Sequence, residues 1–444
     1  MDAPNRNTLW ANIFVDELAR AGLRAAVIAP GSRSTPLTVA FARHPDITVY
    51  SLLDERGAAF FALGLALSGG QAAALVCTSG TATANFYPTV IEADAAHVPL
   101  LLLTTDRPPE LRHSGANQTV DQIKLYGDHV RWFVDVALPE ADPPAVVLRA
   151  LRTLAGRALA ATTGFPPGPV HLNFPFRKPL EPTSEPNDNT APAGAPPRSG
   201  SAPFVHISRG TLQPSTEQVA DVSAALRRAR RGLIVCGPRC PGGDFPAAVV
   251  QLAQESGFPI FADALSGVRF GPHTTGAPLI AGYETFLQPD VVSGWEAPEI
   301  ILQFGAVPIS KGLMAYLSDS GDAQRFQVSS TGVWQDDSHR TGHFVWADPA
   351  ALCRAAAGQL AQKPPPPRDE TWLAQLRRAE TETWQAVETA QAAGFFEGTI
   401  LSDVVELMPS PGQLFVASSL PVRHLDQFAR PAARNLRVFA NRGA

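Results

Sequence analysis

The sequence predicts an α/β protein of doubly wound parallel sheets, set along the chain as three units of which the third is only begun. Short apolar runs alternate with helix-period segments, the pattern of strand–helix–strand crossovers. Two Pro-rich stretches, residues 180–203 and 363–367, cut that pattern into blocks. A chain of 444 residues has room for roughly two to four domains.

In the first block, residues 7–22 place Leu9, Ile13, Phe14 and Leu18 at helical spacing, with Gly22 as a C-cap. Strand 25–29 breaks at Pro30-Gly31-Ser32-Arg33-Ser34-Thr35-Pro36 and a helix follows over 37–43. Then come strand 47–53, helix 56–68, strand 72–78, helix 81–93, strand 99–105, helix 144–161 and strand 170–174. The helix after Glu55 has almost no polar face, so it is expected to be buried nearly all round. Glu55 then stands where a buried strand meets a buried helix. From this segment alone it is either a charge favoured by the helix dipole or a working acid/base.

Residues 181–212 read as a linker. Over 213–361 a second unit has strand 232–236, helix 246–256 and strands 259–262, 299–303 and 325–328. The run Arg227-Arg228-Ala229-Arg230-Arg231 reads as a solvated helix end. Beyond the polyproline, helices 369–391 and 398–408 and strands 413–417 and 438–440 open the third unit, 362–444. So few elements cover a doubly wound core poorly, and the chain is expected to be incomplete here or to rely on a partner.

Hydrophobic residues make up 45% and charged residues 17%, as in a core-forming protein, and the net charge of −5 argues against a general nucleic-acid binder. Four cysteines make no disulfide framework in a chain this long; Cys236 and Cys240, without a second pair at zinc spacing, read as structural. No basic-then-apolar leader opens the chain, and no apolar run approaches the roughly 20 residues of a membrane span. A cytoplasmic protein is the expectation. Dinucleotide, P-loop and nucleophile-elbow signatures are absent. His339 and His343 read as loop histidines, Asp106 as a turn residue, and no metal ligands are assigned.

Four loops at C-terminal strand ends supply hydroxyls or arginines: Gly31-Ser32-Arg33-Ser34, Thr78-Ser79-Gly80-Thr81, Thr105-Asp106-Arg107-Pro108-Pro109 and Ser418-Ser419-Leu420-Pro421-Val422-Arg423. Open α/β sheets bind ligands at that end, and arginine forks suit carboxylate or phosphate. A polyanionic ligand is expected.

As a set, Ala29-Pro30-Gly31-Ser32-Arg33-Ser34-Thr35-Pro36-Leu37, Asp54-Glu55-Arg56-Gly57-Ala58, Thr78-Ser79-Gly80-Thr81-Ala82, Thr105-Asp106-Arg107-Pro108-Pro109-Glu110 and Gly115-Ala116-Asn117-Gln118-Thr119 resemble a thiamine-diphosphate enzyme family of menaquinone biosynthesis, the 2-succinyl-5-enolpyruvyl-6-hydroxy-3-cyclohexene-1-carboxylate synthases. The resemblance is dense in the first unit and loose in the second. It returns at Ser418-Ser419 to Arg423 and at Asn441-Arg442-Gly443-Ala444. It implies a pyrimidine-binding domain (1–180), a central domain (213–361) and a diphosphate-binding domain (from 362), with the cofactor held between subunits of a homodimer or homotetramer.

The implied reaction decarboxylates 2-oxoglutarate and adds the succinyl carbanion equivalent to isochorismate. The implied cofactors are thiamine diphosphate and Mg2+, whose Gly-Asp anchor motif is expected beyond residue 444; tight cofactor binding is therefore not expected of these 444 residues. Glu55 takes the catalytic place at the aminopyrimidine N1′. Pro30, Thr78, Ser79 and Gly80 join it around the cofactor, and Ser32, Arg33, Arg107, Asn117, Gln118, Lys311, Ser419, Arg423 and Arg442 bind the two dicarboxylates. Lys311-Gly312 departs from the Lys-Arg of some members and puts the central domain's carboxylate binding in doubt. Two alternatives stay open: another thiamine-diphosphate 2-oxoacid decarboxylase or acetohydroxyacid-synthase-like enzyme, and a non-catalytic binding protein lacking the cofactor domain.

Overall fold

The computed structural model describes residues 3–189, 191 and 200–441. Arg442 lies outside them, as does part of the predicted linker. Two compact units divide the chain, the first running to Arg209 and taking in Asn441, the second Gly210–Ala440.

The first unit holds α1 (Arg6–Arg20), β1 (Ala25–Ile28), α2 (Thr35–Arg43), β2 (Thr48–Ser51), α3 (Glu55–Gly69), β3 (Ala73–Cys77), α4 (Thr81–Ala84), α5 (Tyr87–Ala95), β4 (Leu100–Asp106), β5 (Trp132–Asp135), α6 (Ala145–Thr162) and β6 (Val170–Pro175). All six strands are parallel, in the order β2-β1-β3-β4-β6-β5. Alternation along the strands splits the core in two. Ala26, Ile28, Ala74, Val76, Leu101 and Leu103 face α1, α2 and α6; Val27, Leu75, Cys77, Leu100 and Leu102 face α3 and α5. The inner strands β3, β4 and β6 are buried throughout, as a sheet covered on both faces requires.

Several expectations change here. The strand before Glu55 is an edge strand with exposed ends, and α3 is one-sided. Ala58, Ala59, Ala62, Leu63 and Ala66 are buried, while Phe61 is 39% and Leu53 92% exposed. The single helix predicted over 81–93 is two: Pro88 cannot bond back to Ala84, where α4 ends. Asp106 is no turn residue but the buried last residue of β4.

The second unit opens with α7 (Thr216–Arg228), β7 (Gly232–Cys236), α8 (Phe245–Ser256), β8 (Ile260–Ala262), β9 (Leu279–Ile280), α9 (Tyr283–Phe286), α10 (Pro289–Val292), β10 (Ile300–Phe304), α11 (Lys311–Asp319), β11 (Gln324–Ser329), β12 (His343–Trp346) and α12 (Pro349–Gln362). Its parallel sheet runs β12-β11-β10-β7-β8-β9. After it come α13 (Glu370–Ala393), α14 (Glu397–Leu407), β13 (Gly412–Val416), α15 (Leu420–Phe428) and β14 (Leu436–Ala440). Strands β13 and β14 pair parallel as a sheet of their own, over a cluster with Val405, Val422 and Leu425.

His343 starts β12 and stacks on Phe326 at 4.5 Å, so it is a strand residue rather than a loop one. The arginine run does end helix α7, with Arg228 and Arg230 exposed, but two of its members are bonded. Arg227 donates to the Lys363 and Gln359 carbonyls, and Arg231, past the helix, pairs with Glu299 at 3.3 Å and Asp369 at 3.4 Å. No helix among the described residues is long and apolar enough to cross a membrane.

Candidate active site

Parallel strands put every strand-to-helix loop at one edge of the sheet, which is why residues far apart in sequence meet there. In the first unit that edge gathers Pro30 to Arg33 after β1, Glu55 after β2, Thr78 to Gly80 after β3 and Arg107 after β4.

Glu55 is the first residue of α3 and half-buried. Helix capping falls instead to Asp54, whose carboxylate accepts the Gly57 N–H at 2.6 Å. The Glu55 carboxylate makes no hydrogen bond or ion pair among the described residues. Its charge reaches Cys77 at the end of β3, where burial first and that charge second push the thiol up.

Beside it, the β1 loop lies on the end of β3 so closely that a Cβ at Gly31 would sit 2.5 Å from the Thr78 Cβ. The Thr78 hydroxyl is buried and without a partner among the described residues. Gly80, at φ +85, is equally tight, since a Cβ there would fall 2.9 Å from the Gln118 side chain. An unpaired carboxylate, an orphaned buried hydroxyl and two backbone close approaches fit a flat heteroaromatic ring with hydrogen-bonding nitrogens.

Arg33 is buried; it donates to the Phe176 carbonyl at 2.6 Å while its Nε finds no partner among the described residues. Burial, then the nearby Arg107 charge, holds its guanidinium below the ordinary range. Arg107 donates to Ser79 Oγ at 2.8 Å and to the Asn117 carbonyl at 3.0 Å. Gln118 donates to the Ser79 carbonyl at 3.0 Å from a left-handed backbone, φ 56. Ser32, Asn117 and Gln118 are exposed around the arginines.

The sequence reading missed a buried polar network behind these loops. Asn173, at the centre of β6, donates to Asp106 at 3.0 Å and Asp135 at 2.9 Å, and accepts from Thr104 at 2.9 Å and Gln122 at 2.8 Å. Gln122 accepts the Gly80 N–H at 3.0 Å. Arg112 pairs with Asp106 at 3.0 Å and with Asp135 at 2.9 Å. Burial outweighs pairing at Asp106 and raises its carboxyl; at Arg112 the hydrogen bonds to Asp135 outweigh burial and raise the guanidinium. A signal existed: His171 and Asn173 stand in an otherwise apolar inner strand, where polar side chains must be bonded.

In the second unit, Lys311 opens α11 and is exposed, as are Ser419, which precedes α15 at φ 71, and Arg423 within α15. Gly312 has a local reason: its N–H donates to Glu284 at 3.2 Å, and a Cβ there would lie 3.1 Å from the Leu287 carbonyl. Among the described residues no group of His, Cys, Asp or Glu gathers to hold a metal ion, so no step is assigned to Mg2+ here.

Residues 10–125 match the thiamine pyrophosphate enzyme N-terminal TPP binding domain, and residues 202–416 match the middle domain of thiamine pyrophosphate enzymes. A 2-succinyl-5-enolpyruvyl-6-hydroxy-3-cyclohexene-1-carboxylate synthase of Roseiflexus castenholzii is 54% identical over 444 residues, covering 99% of this chain and 75% of that one. The chain belongs to this synthase family. A Roseiflexus sp. synthase is 52% identical, covering 99% of this chain and 74% of its own, and one of Haloarcula marismortui is 49% identical, covering 100% and 75%. The synthases are thiamine-diphosphate enzymes, and the α/β architecture of two six-stranded parallel sheets is that of their N-terminal and middle domains.

Proposed function

We propose that this chain works as those relatives are named, in a thiamine-diphosphate-dependent reaction that decarboxylates 2-oxoglutarate and joins the resulting succinyl unit to isochorismate in menaquinone biosynthesis. The observation that carries the reading is the unpaired Glu55 carboxylate beside the orphaned Thr78 hydroxyl, with Arg33 and Arg107 at the same sheet edge. Thiamine diphosphate supplies an electron sink for the carbanion left by loss of carbon dioxide. Glu55 holds a proton at the aminopyrimidine N1′, and the Gly31–Thr78 and Gly80–Gln118 approaches shape the slot for the ring. Pro30 and Ser79 complete its wall.

Arg33 and Arg107 bind substrate carboxylates, since a guanidinium already partly stripped of water gains more from a carboxylate than an exposed one. Ser32, Asn117 and Gln118 hydrogen-bond the substrates from the same edge, and Lys311, Ser419, Arg423 and Arg442 are further binding residues for dicarboxylates. Residues 1–180 form the pyrimidine-binding domain, 213–361 the central one, and 362–444 belong to the diphosphate-binding one. The exposed Leu53 and Phe61 flanking Glu55 support a homodimer or homotetramer in which a second copy covers them, and the enzyme works in the cytoplasm.

The test is Glu55→Gln in the holoenzyme. Exchange of the cofactor's C2 proton, followed by NMR, is expected to cease while the far-UV spectrum stays unchanged. Undiminished exchange removes Glu55 from its role, and turnover of pyruvate but not of 2-oxoglutarate with isochorismate overturns the substrate assignment.

A further inference from the structure

We infer that Asn173 and Gln122 are the positioning residues for the Arg107 and Ser79–Gly80 loops, one amide pair setting the geometry of both. The inference rests on the proposed role of those loops. Asn173, Thr104 and Asp135 stand in one register row across β4, β6 and β5, and Asp106 lies two residues further along the same face of β4. Because β6 runs between β4 and β5, the Asn173 side chain reaches both. All four of its hydrogen-bonding positions are used, the maximum an amide allows. The carboxylates of Asp106 and Asp135 fix which end is NH2.

Each branch ends on a loop. Asp106 accepts the Arg107 N–H at 2.7 Å. Arg112, gripped by Asp106 and Asp135, donates to the Arg107 carbonyl at 3.3 Å. The Arg107 backbone is thus clamped at both ends by groups that Asn173 spaces. On the other side Gln122 takes a proton of its amide to Asn173 and accepts the Gly80 N–H, so the tight φ +85 turn is tied to the same point. Neither amide lies on the loops it steers, and nothing in the proposed chemistry otherwise uses them.

The test uses the holoenzyme and 2-oxoglutarate as the probe. Asn173→Asp replaces the two donors by a third carboxyl facing Asp106, Asp135, His171 and Arg112. At pH 8 the KM for 2-oxoglutarate is expected to rise about tenfold with kcat little changed, the loss of roughly one net hydrogen bond to a charged group. At pH 6 the defect shrinks, because the introduced carboxyl, once protonated, again donates. Gln122→Met removes the bonds to the Gly80 N–H, the Asn173 amide oxygen and the Thr105 carbonyl but leaves Asn173 its two carboxylates, is of similar size, and is expected to raise the dissociation constant measured by calorimetry severalfold; it decides the matter if the first variant does not fold. Arg107→Ala runs beside them. If Arg107→Ala abolishes binding while the amide variants bind within twofold of the parent at both pH values, the positioning role is refuted and the Arg107 reading stands. If Arg107→Ala leaves binding intact, it is the substrate reading that fails.

Discussion

Arg269→Met is expected to loosen the part of the second unit that carries Ser419 and Arg423. Arg269 is fully buried and donates to the Ala262 carbonyl at 2.8 Å, the Tyr283 hydroxyl at 2.9 Å and Asp426 Oδ1 at 2.7 Å. Asp426 sits on α15 and also accepts the Ala264 N–H at 3.0 Å. Next to it, Asp263 accepts the Ile309 N–H at 2.8 Å, just before Lys311. Burial and the Asp426 charge push the Asp263 carboxyl up, so one guanidinium balances two carboxylates. Methionine keeps most of the volume but leaves Asp426 unpaired, which costs about 3–5 kcal/mol for a buried pair. Adding Asp426→Asn removes the stranded charge, and the double variant is expected to recover about 1–3 kcal/mol relative to the sum of the single ones. Amide exchange of a peptide spanning residues 420–429 reports this locally, where a loss of 3 kcal/mol speeds exchange about a hundredfold. An acceleration under fivefold for Arg269→Met, or strict additivity of the two changes, refutes the reasoning.

Three further outcomes are expected. Burial drives His171 from 6.5 to about 3, so its neutral form is the folded one; below pH 6.5 the unfolded chain takes up the proton first, and stability falls as pH drops toward 3. At about 1.36 kcal/mol per pH unit the effect reaches on the order of 5 kcal/mol; an unchanged acid midpoint in a urea series for His171→Gln contradicts it. Gly80→Ala, strained at φ +85 and 2.9 Å from Gln118, is expected to cost about 1–2 kcal/mol, read as a lowered urea midpoint; a parental midpoint contradicts it. Gly237→Ala places a Cβ 1.9 Å from the Ala306 carbonyl oxygen, both in backbone, so a melting temperature within a few degrees of the parent is the contrary result.

The alternation of strands and helices was legible because it follows from covering a parallel sheet on both faces, and nearly all the inner strands read correctly. Edge strands were harder. Strand β5 (Trp132–Asp135) went unseen, since a half-exposed edge has neither a continuous apolar run nor clean alternation. The apolar character of the segment around Leu53 and Phe61 was visible, but which of those residues face the core depends on strand order, which composition does not encode. The arginines and Glu55 were legible through their loops. Asn173 and Gln122 were not, because a buried amide gains its meaning from partners that only register brings together.

The contact between Gly31 and Thr78 has a consequence for how the family varies. With 2.5 Å between an imagined Cβ at 31 and the real one at 78, the two positions share one allotment of space. A relative with alanine at 31 is expected to carry a smaller residue at 78, or a β1 loop displaced from the sheet. Each change alone is a poor step, so the pair is expected to be inherited together.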